Sequence, residues 1–159
     1  MDSFYFEVIE LFNRHNVQYM VVGGFAVNFH GYNRSTGDLD LWVSNSDKNL
    51  LLLKVAVDEL GFELSENAMS ELRKDQMVTF SNEDCVIELM TRLNISIEIS
   101  FKEAFERAEL RTLDNLVFRV ISLADLKNEK SRSKRYKDLD DLSKLEEAEV
   151  YYGKRSKEE

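Results

Sequence analysis

The chain has 159 residues, of which 21 are basic and 30 acidic, for a formal net charge of −9. That length supports one domain of ordinary size, able to bury a core without disulfide or metal staples. The acidic balance argues against broad, nonspecific nucleic-acid binding, no apolar run approaches membrane-spanning length, and the lone cysteine, Cys85, excludes a disulfide framework or a multi-cysteine zinc site. A reducing, cytoplasmic setting fits, and Met1-Asp-Ser-Phe-Tyr-Phe-Glu7 lacks the basic region and apolar core of a secretory signal.

The spacing of apolar residues predicts the elements in turn. Phe4, Val8, Leu11 and Phe12 fall at helical spacing, so residues 2–14 read as an amphipathic helix. Residues 17–22 are a buried strand ended by Gly23-Gly24, and residues 25–29 a short helix stopped by Gly31. Residues 38–43 alternate cleanly: Leu39, Leu41 and Val43 face one side, and Asp38, Asp40 and Trp42 the other. Asn45 or Ser46 caps a helix carrying Leu50, Leu53, Val57 and Leu60, closed by Gly61. Residues 65–74 are expected to be helical. Residues 76–80 and 85–90 read as strands around a turn at 81–84, and residues 95–99 as a third short strand.

Ser100 and Glu103 form a capping box that opens a helix through about Glu109. Residues 115–121 are a strand, Ser122 and Asp125 open a helix to about Ser131, and residues 137–149 form a last helix with Leu139, Leu142 and Leu145 inward. The order predicts an α/β (α+β) fold, a small mixed sheet flanked by helices. No proline, Gly/Ser-rich linker or repeat marks a boundary, so residues 1–159 read as a single domain; residues 122–150 belong to it and residues 151–159 form a frayed tail.

The residues that can carry chemistry cluster early. Aspartate is depleted in strands, so two on one face of an apolar strand need a reason. Asp38 and Asp40 can supply oxygen ligands for Mg²⁺, which takes one or two carboxylates and completes its shell with phosphate oxygens. Gly23-Gly24 offers bare backbone N–H groups, the kind of turn that holds phosphate. A third carboxylate is expected as base or further ligand. Glu88 shares its face with Val86 and Met90, where a carboxylate is costly unless paired or metal-bound; Glu98, in a cleaner alternation, stays an alternative.

The charge is unevenly spread. Residues 1–121 hold 11 basic and 20 acidic side chains, residues 122–159 hold 10 of each. Within 127–137, six basic residues, Lys130, Arg135 and Lys137 among them, stand against Glu129 alone, a segment suited to facing phosphates. His15 and His30 lack ligand spacing and read as structural or surface residues.

Together these residues resemble the nucleotidyltransferase (DNA polymerase β-like) superfamily, and within it the minimal-type members. The resemblance rests on Gly23-Gly24, on Arg34-Ser-Thr-Gly-Asp-Leu-Asp40, on the segment around Glu88, on Phe101-Lys-Glu-Ala104, and on a tail running from Ser122 through Lys130 to Arg135-Tyr-Lys-Asp-Leu-Asp-Asp-Leu142. It covers roughly residues 15–148. It implies transfer of a nucleoside monophosphate from an NTP to a hydroxyl-type acceptor. It further implies that Asp38, Asp40 and Glu88 ligate Mg²⁺, that Gly23, Gly24 and Arg34 lie at the nucleotide, and that Lys130, Arg135 and Lys137 face its phosphates. The acceptor stays open between small molecule, protein and tRNA. A non-catalytic module of a toxin–antitoxin pair, holding a protein partner, is the alternative.

Overall fold

The computed structural model describes residues 1–158. Helix α1 (Ser3–Arg14) starts where the Asp2 carboxylate accepts the Phe4 N–H at 2.9 Å, and it buries Tyr5, Val8, Ile9, Leu11 and Phe12. Strand β1 (Tyr19–Val22) is buried along its whole length and passes directly into α2 (Gly23–Phe29). Strand β2 (Asp38–Val43) follows, then α3 (Asp47–Glu59), capped by Ser46, and α4 (Glu66–Arg73), capped by Ser65.

Strands β3 (Val78–Ser81) and β4 (Val86–Met90) form the expected hairpin. Helix α5 (Phe101–Arg107) begins at the Ser100–Glu103 capping box. Strands β5 (Glu109–Leu113) and β6 (Leu116–Val120) precede α6 (Leu123–Ser131) and α7 (Tyr136–Glu158). The six strands form one mixed sheet in the order β3-β4-β2-β1-β6-β5. β2 and β4 are parallel, as are β1 and β6, and the remaining pairs are antiparallel. Among the described residues no helix is long and apolar enough to cross a membrane.

The aspartate-bearing face of β2 changes character along its length. Asp38 and Asp40 are half-buried, whereas Trp42 on the same face is fully buried. Its ring meets Phe101 of α5 edge-on at 5.4 Å, and its indole N–H donates to the Thr91 carbonyl. Helix α5 therefore covers one end of that face and leaves the other open.

Four expectations are corrected. Residues 95–99 are not a strand: Asn94–Ile97 is a 3-10 turn, because the Glu129 carboxylate takes the Asn94 and Ile95 N–H groups and the Ser96 hydroxyl takes that of Leu93. The helix after Ser100 ends at Arg107, and residues 109–113 are the edge strand β5. Helix α7 runs beyond residue 149 to Glu158, so residues 151–158, expected as a frayed tail, are helical and exposed; Glu159 lies outside the described residues. Its inward face holds Asp138, Asp141 and Leu145, whereas Leu139 is exposed.

Candidate active site

Strand direction gathers the candidate residues at one edge of the sheet. β1 and β2 are antiparallel and β2 and β4 parallel, so the end of β1 lies beside the starts of β2 and β4. The register sets Asp40 opposite Val22 on one side and opposite Glu88 on the other. Paired residues in adjacent strands project to the same face, so Asp40 and Glu88 stand side by side, with Asp38 two residues back on that face. Glu98 is elsewhere: it ends the 3-10 turn and pairs with Arg132 at 2.7 Å.

Asp40 is the perturbed group. Burial pushes its carboxyl up to about 8, helped by the hydrogen bond with Glu88 and the negative charges of Glu88 and Asp38, against a lesser opposing pull from Lys130. Its Oδ1 is buried with no hydrogen-bond partner, which is costly for a carboxylate oxygen. Gly23 opens α2 directly against it. Its φ of +64° is one that side chains rarely adopt, and a Cβ there would overlap the Asp40 carboxylate. Gly24 is close-packed too, but behind the site: a Cβ would come within 2.5 Å of the Thr36 hydroxyl.

A cleft of about 550 Å³ opens in front of these groups. Asp40, Glu88 and Gly23 form its acidic side; Lys130, Ser133, Lys134 and Arg135 form the opposite wall; Met77, Met90 and Leu93 supply an apolar stretch between. Lys130 is buried, and its ammonium reaches Asp138 at 2.8 Å and Asp141 at 3.0 Å. Arg135 holds Asp138 at 2.8 Å with the rest of its side chain in solvent. Asp138 would be raised by burial, but the hydrogen bonds from Arg135, Lys130 and Ser133 outweigh this and hold it far below the usual carboxylate range.

The structure thus brings Gly23, Asp40, Glu88, Lys130 and Arg135 around one cleft, with Asp38 adjoining on the Asp40 face. Arg34 does not line it: its guanidinium is spent on Asp141, with contacts of 2.7 and 3.0 Å. Lys137 is exposed and off the wall. His15 pairs with Glu59, the His30 ring meets the Ile121 carbonyl at 2.7 Å, and Cys85 is a small buried residue. Asp138, Asp141 and Ser133 are absent from the sequence-based set. The signal for the two aspartates is their i, i+3, i+7 spacing with Leu145, which puts them on the helix face that packs inward.

The family described as "Nucleotidyl transferase of unknown function (DUF2204)" matches residues 3–156. No curated protein sequence matches significantly. Among solved structures, ANT(2'')-Ia in complex with adenylyl-2''-tobramycin is similar with a TM-score of 0.53 at 12% identity, over 97% of each chain. A solution structure of the antibiotic-resistance factor ANT(2'')-Ia gives 0.53 at 11% identity, over 96% of this chain and 90% of that one. An antigenic nucleotidyltransferase-like protein from Paracoccidioides brasiliensis gives 0.50 at 16% identity, over 87% and 71%. At these identities the structures establish a shared fold. The family match spans nearly the whole chain, and the protein belongs to this nucleotidyl transferase family.

Proposed function

We propose that the protein is a Mg²⁺-dependent nucleotidyltransferase that moves a nucleoside monophosphate from an NTP to a hydroxyl-type acceptor. The observation that carries this is Asp40, whose buried Oδ1 has no partner and whose carboxyl stands beside Glu88 in the paired strand, with Asp38 two residues back on the same face. A divalent cation would satisfy that oxygen and relieve the crowding of negative charge. Asp38, Asp40 and Glu88 would hold it. Among the described residues no three carboxylate, imidazole or thiol groups are gathered closely enough to hold a metal by themselves, so substrate phosphates would have to complete the shell, as they do for Mg²⁺. Held there, the cation would supply positive charge that offsets the charge developing on the transferring phosphate.

The chain's own residues do the remaining work. Gly23 lets backbone come close to Asp40 and so to the triphosphate beside it. Lys130 and Arg135 neutralise the charge that builds on pyrophosphate as its bond to the α-phosphorus breaks. Glu88 accepts the proton of the acceptor hydroxyl as the new P–O bond forms. The two walls hold acceptor and nucleotide in line, and positioning supplies much of the rate in such transfers.

ANT(2'')-Ia, a neighbour in fold, was captured with adenylyl-2''-tobramycin, and a small-molecule hydroxyl is the acceptor class we favour. A cytoplasmic setting accords with an NTP donor. The experiment is to incubate the protein with Mg²⁺ and each α-labelled NTP in a cell extract, then separate small molecules, protein and RNA. Label in the small-molecule fraction supports the reading; label in tRNA or protein moves the acceptor; no label in any fraction sinks it. The second reading, a toxin–antitoxin module that holds a protein partner, draws on the exposed Tyr136, Val150, Tyr151 and Tyr152 of α7. Capture of one stoichiometric partner without label transfer would favour it.

A further inference from the structure

We infer that Asp138 and Asp141 are positioning residues for the transfer reaction: together they hold Lys130 and Arg135 as one preset cationic wall, with Arg34 bracing Asp141 from outside the cleft. The inference rests on the nucleotidyltransferase reading and adds to it the residues that arm the wall.

The placement of the two carboxylates is the first observation. Asp138 is 5% exposed and Asp141 is fully buried, on the face of α7 where apolar residues would pack at lower cost. Buried ion pairs are often no more stabilising than apolar residues of similar volume, so stability alone gives little reason for them. What they achieve is geometric. Asp141 receives Arg34 through two contacts and Lys130 at 3.0 Å, which ties the segment before β2 to α6 and α7. Asp138 receives Lys130 at 2.8 Å, the Ser133 hydroxyl at 2.6 Å, and Arg135 through Nε at 2.8 Å and Nη2 at 3.2 Å.

Donor counting gives the consequence. The Lys130 ammonium donates one N–H to Asp138 and is paired by charge with Asp141 at 3.0 Å, so two carboxylates fix its position. Its stem is buried, so the ammonium cannot swing away, and the residue lines the cleft. The Arg135 side chain is 74% exposed and would otherwise sample many rotamers; Asp138 fixes one edge of its fork and leaves Nη1 for a ligand. Ser133 accepts the Arg135 backbone N–H at 3.1 Å and donates to Asp138, so the link between α6 and α7 is locked by the same carboxylate. Ordering these cations in advance removes a cost that nucleotide binding would otherwise bear.

The test is a double-mutant cycle on the full chain, read by calorimetric titration with inorganic tripolyphosphate and Mg²⁺, which needs no knowledge of the base. Asp138→Asn should keep cooperative thermal unfolding and weaken tripolyphosphate binding about tenfold, as loss of charge-assisted placement implies. In an Arg135→Gln background the same change should cost less than about threefold, because the two residues act as one unit. If Asp138→Asn fails to fold, Asp138→Glu, which keeps the charge but displaces it, serves in the same cycle. Unchanged or tighter binding by the Asp138 variant, or equal losses in both backgrounds, overturns the inference. Wild-type protein that binds no tripolyphosphate overturns the nucleotidyltransferase reading and this inference with it; wild-type binding with an indifferent Asp138 variant overturns this inference alone.

Discussion

At Asp40 the chain crowds a carboxylate into a place unfavourable to its charge. One carboxylate oxygen is buried without a partner, and the group is hemmed in by Glu88, Asp38 and the Gly23 backbone. Asp40→Asn removes the charge and keeps the shape. It should lower nucleotidyl transfer by about two to three orders of magnitude, the scale of losing one preorganised electrostatic contact. The melting temperature should not fall, since a neutral amide replaces a carboxyl whose charged form burial disfavours. Label transfer and thermal melts check the two halves separately. Gly23→Ala tests the wall beside it. A side chain there meets both a φ of +64° and the Asp40 carboxylate, so the variant should lose about 1–3 kcal/mol in urea unfolding along with its activity. An alanine variant as stable as wild type would show that the backbone can draw back.

At the scale of the element, α7 joins the rest through charge more than through apolar burial, with Leu145 its one fully buried apolar side chain. That has a pH signature. Asp138 is held below its unfolded value, so it contributes stability that is present above the ordinary carboxylate range and is lost as pH falls through and below it. Asp138→Asn should therefore flatten the acid limb of the stability curve below about pH 4, as urea midpoints at successive pH values would show. An unchanged slope would deny Asp138 its part in acid unfolding. The end of α7 does little by comparison. Residues 153–158 are exposed, and ending the chain after Tyr152 should move the melting temperature by less than about 2 °C.

The elements also show what could be read from sequence. Period-2 alternation in β2 and helical spacing in α1 and α3 reflect burial against nearby layers, and they were legible. The 3-10 turn was not, because Glu129, far along the chain, captures its N–H groups. Strand β5 is not legible beyond its first residue, Glu109, which the sequence assigns to the preceding helix, since its side chains are mostly exposed. Its signal was the turn: Asp114 and Asn115 both have positive φ, as a two-residue hairpin requires. In the site, Asp40 and Glu88 were legible as carboxylates on apolar strands. The fates of Arg34 and Lys137 were not, because which face α7 turns inward is decided by ion pairs between distant segments.

In the molecule as a whole, the sheet order sets acidic residues of β2 and β4 against cations carried by α6 and the segment leading into α7, across a cleft about 550 Å³ in volume. A triphosphate entering alone would be drawn to one wall and repelled by the other. In a chain of net charge −9 the surroundings add no general attraction for an anion. Nucleotide and divalent cation should therefore bind as partners, each reducing the electrostatic cost of the other. Thermal melts with each NTP, in Mg²⁺ or in EDTA, test this coupling. A ligand at a hundredfold its Kd adds about 2.7 kcal/mol, which for a chain of this size corresponds to roughly 5–10 °C. That rise should appear for wild type with NTP and Mg²⁺ together, shrink to a degree or two for either alone, and vanish in Asp40→Asn. An equal rise in EDTA would mean that the cationic wall alone binds the nucleotide, and the acidic edge would then need another explanation.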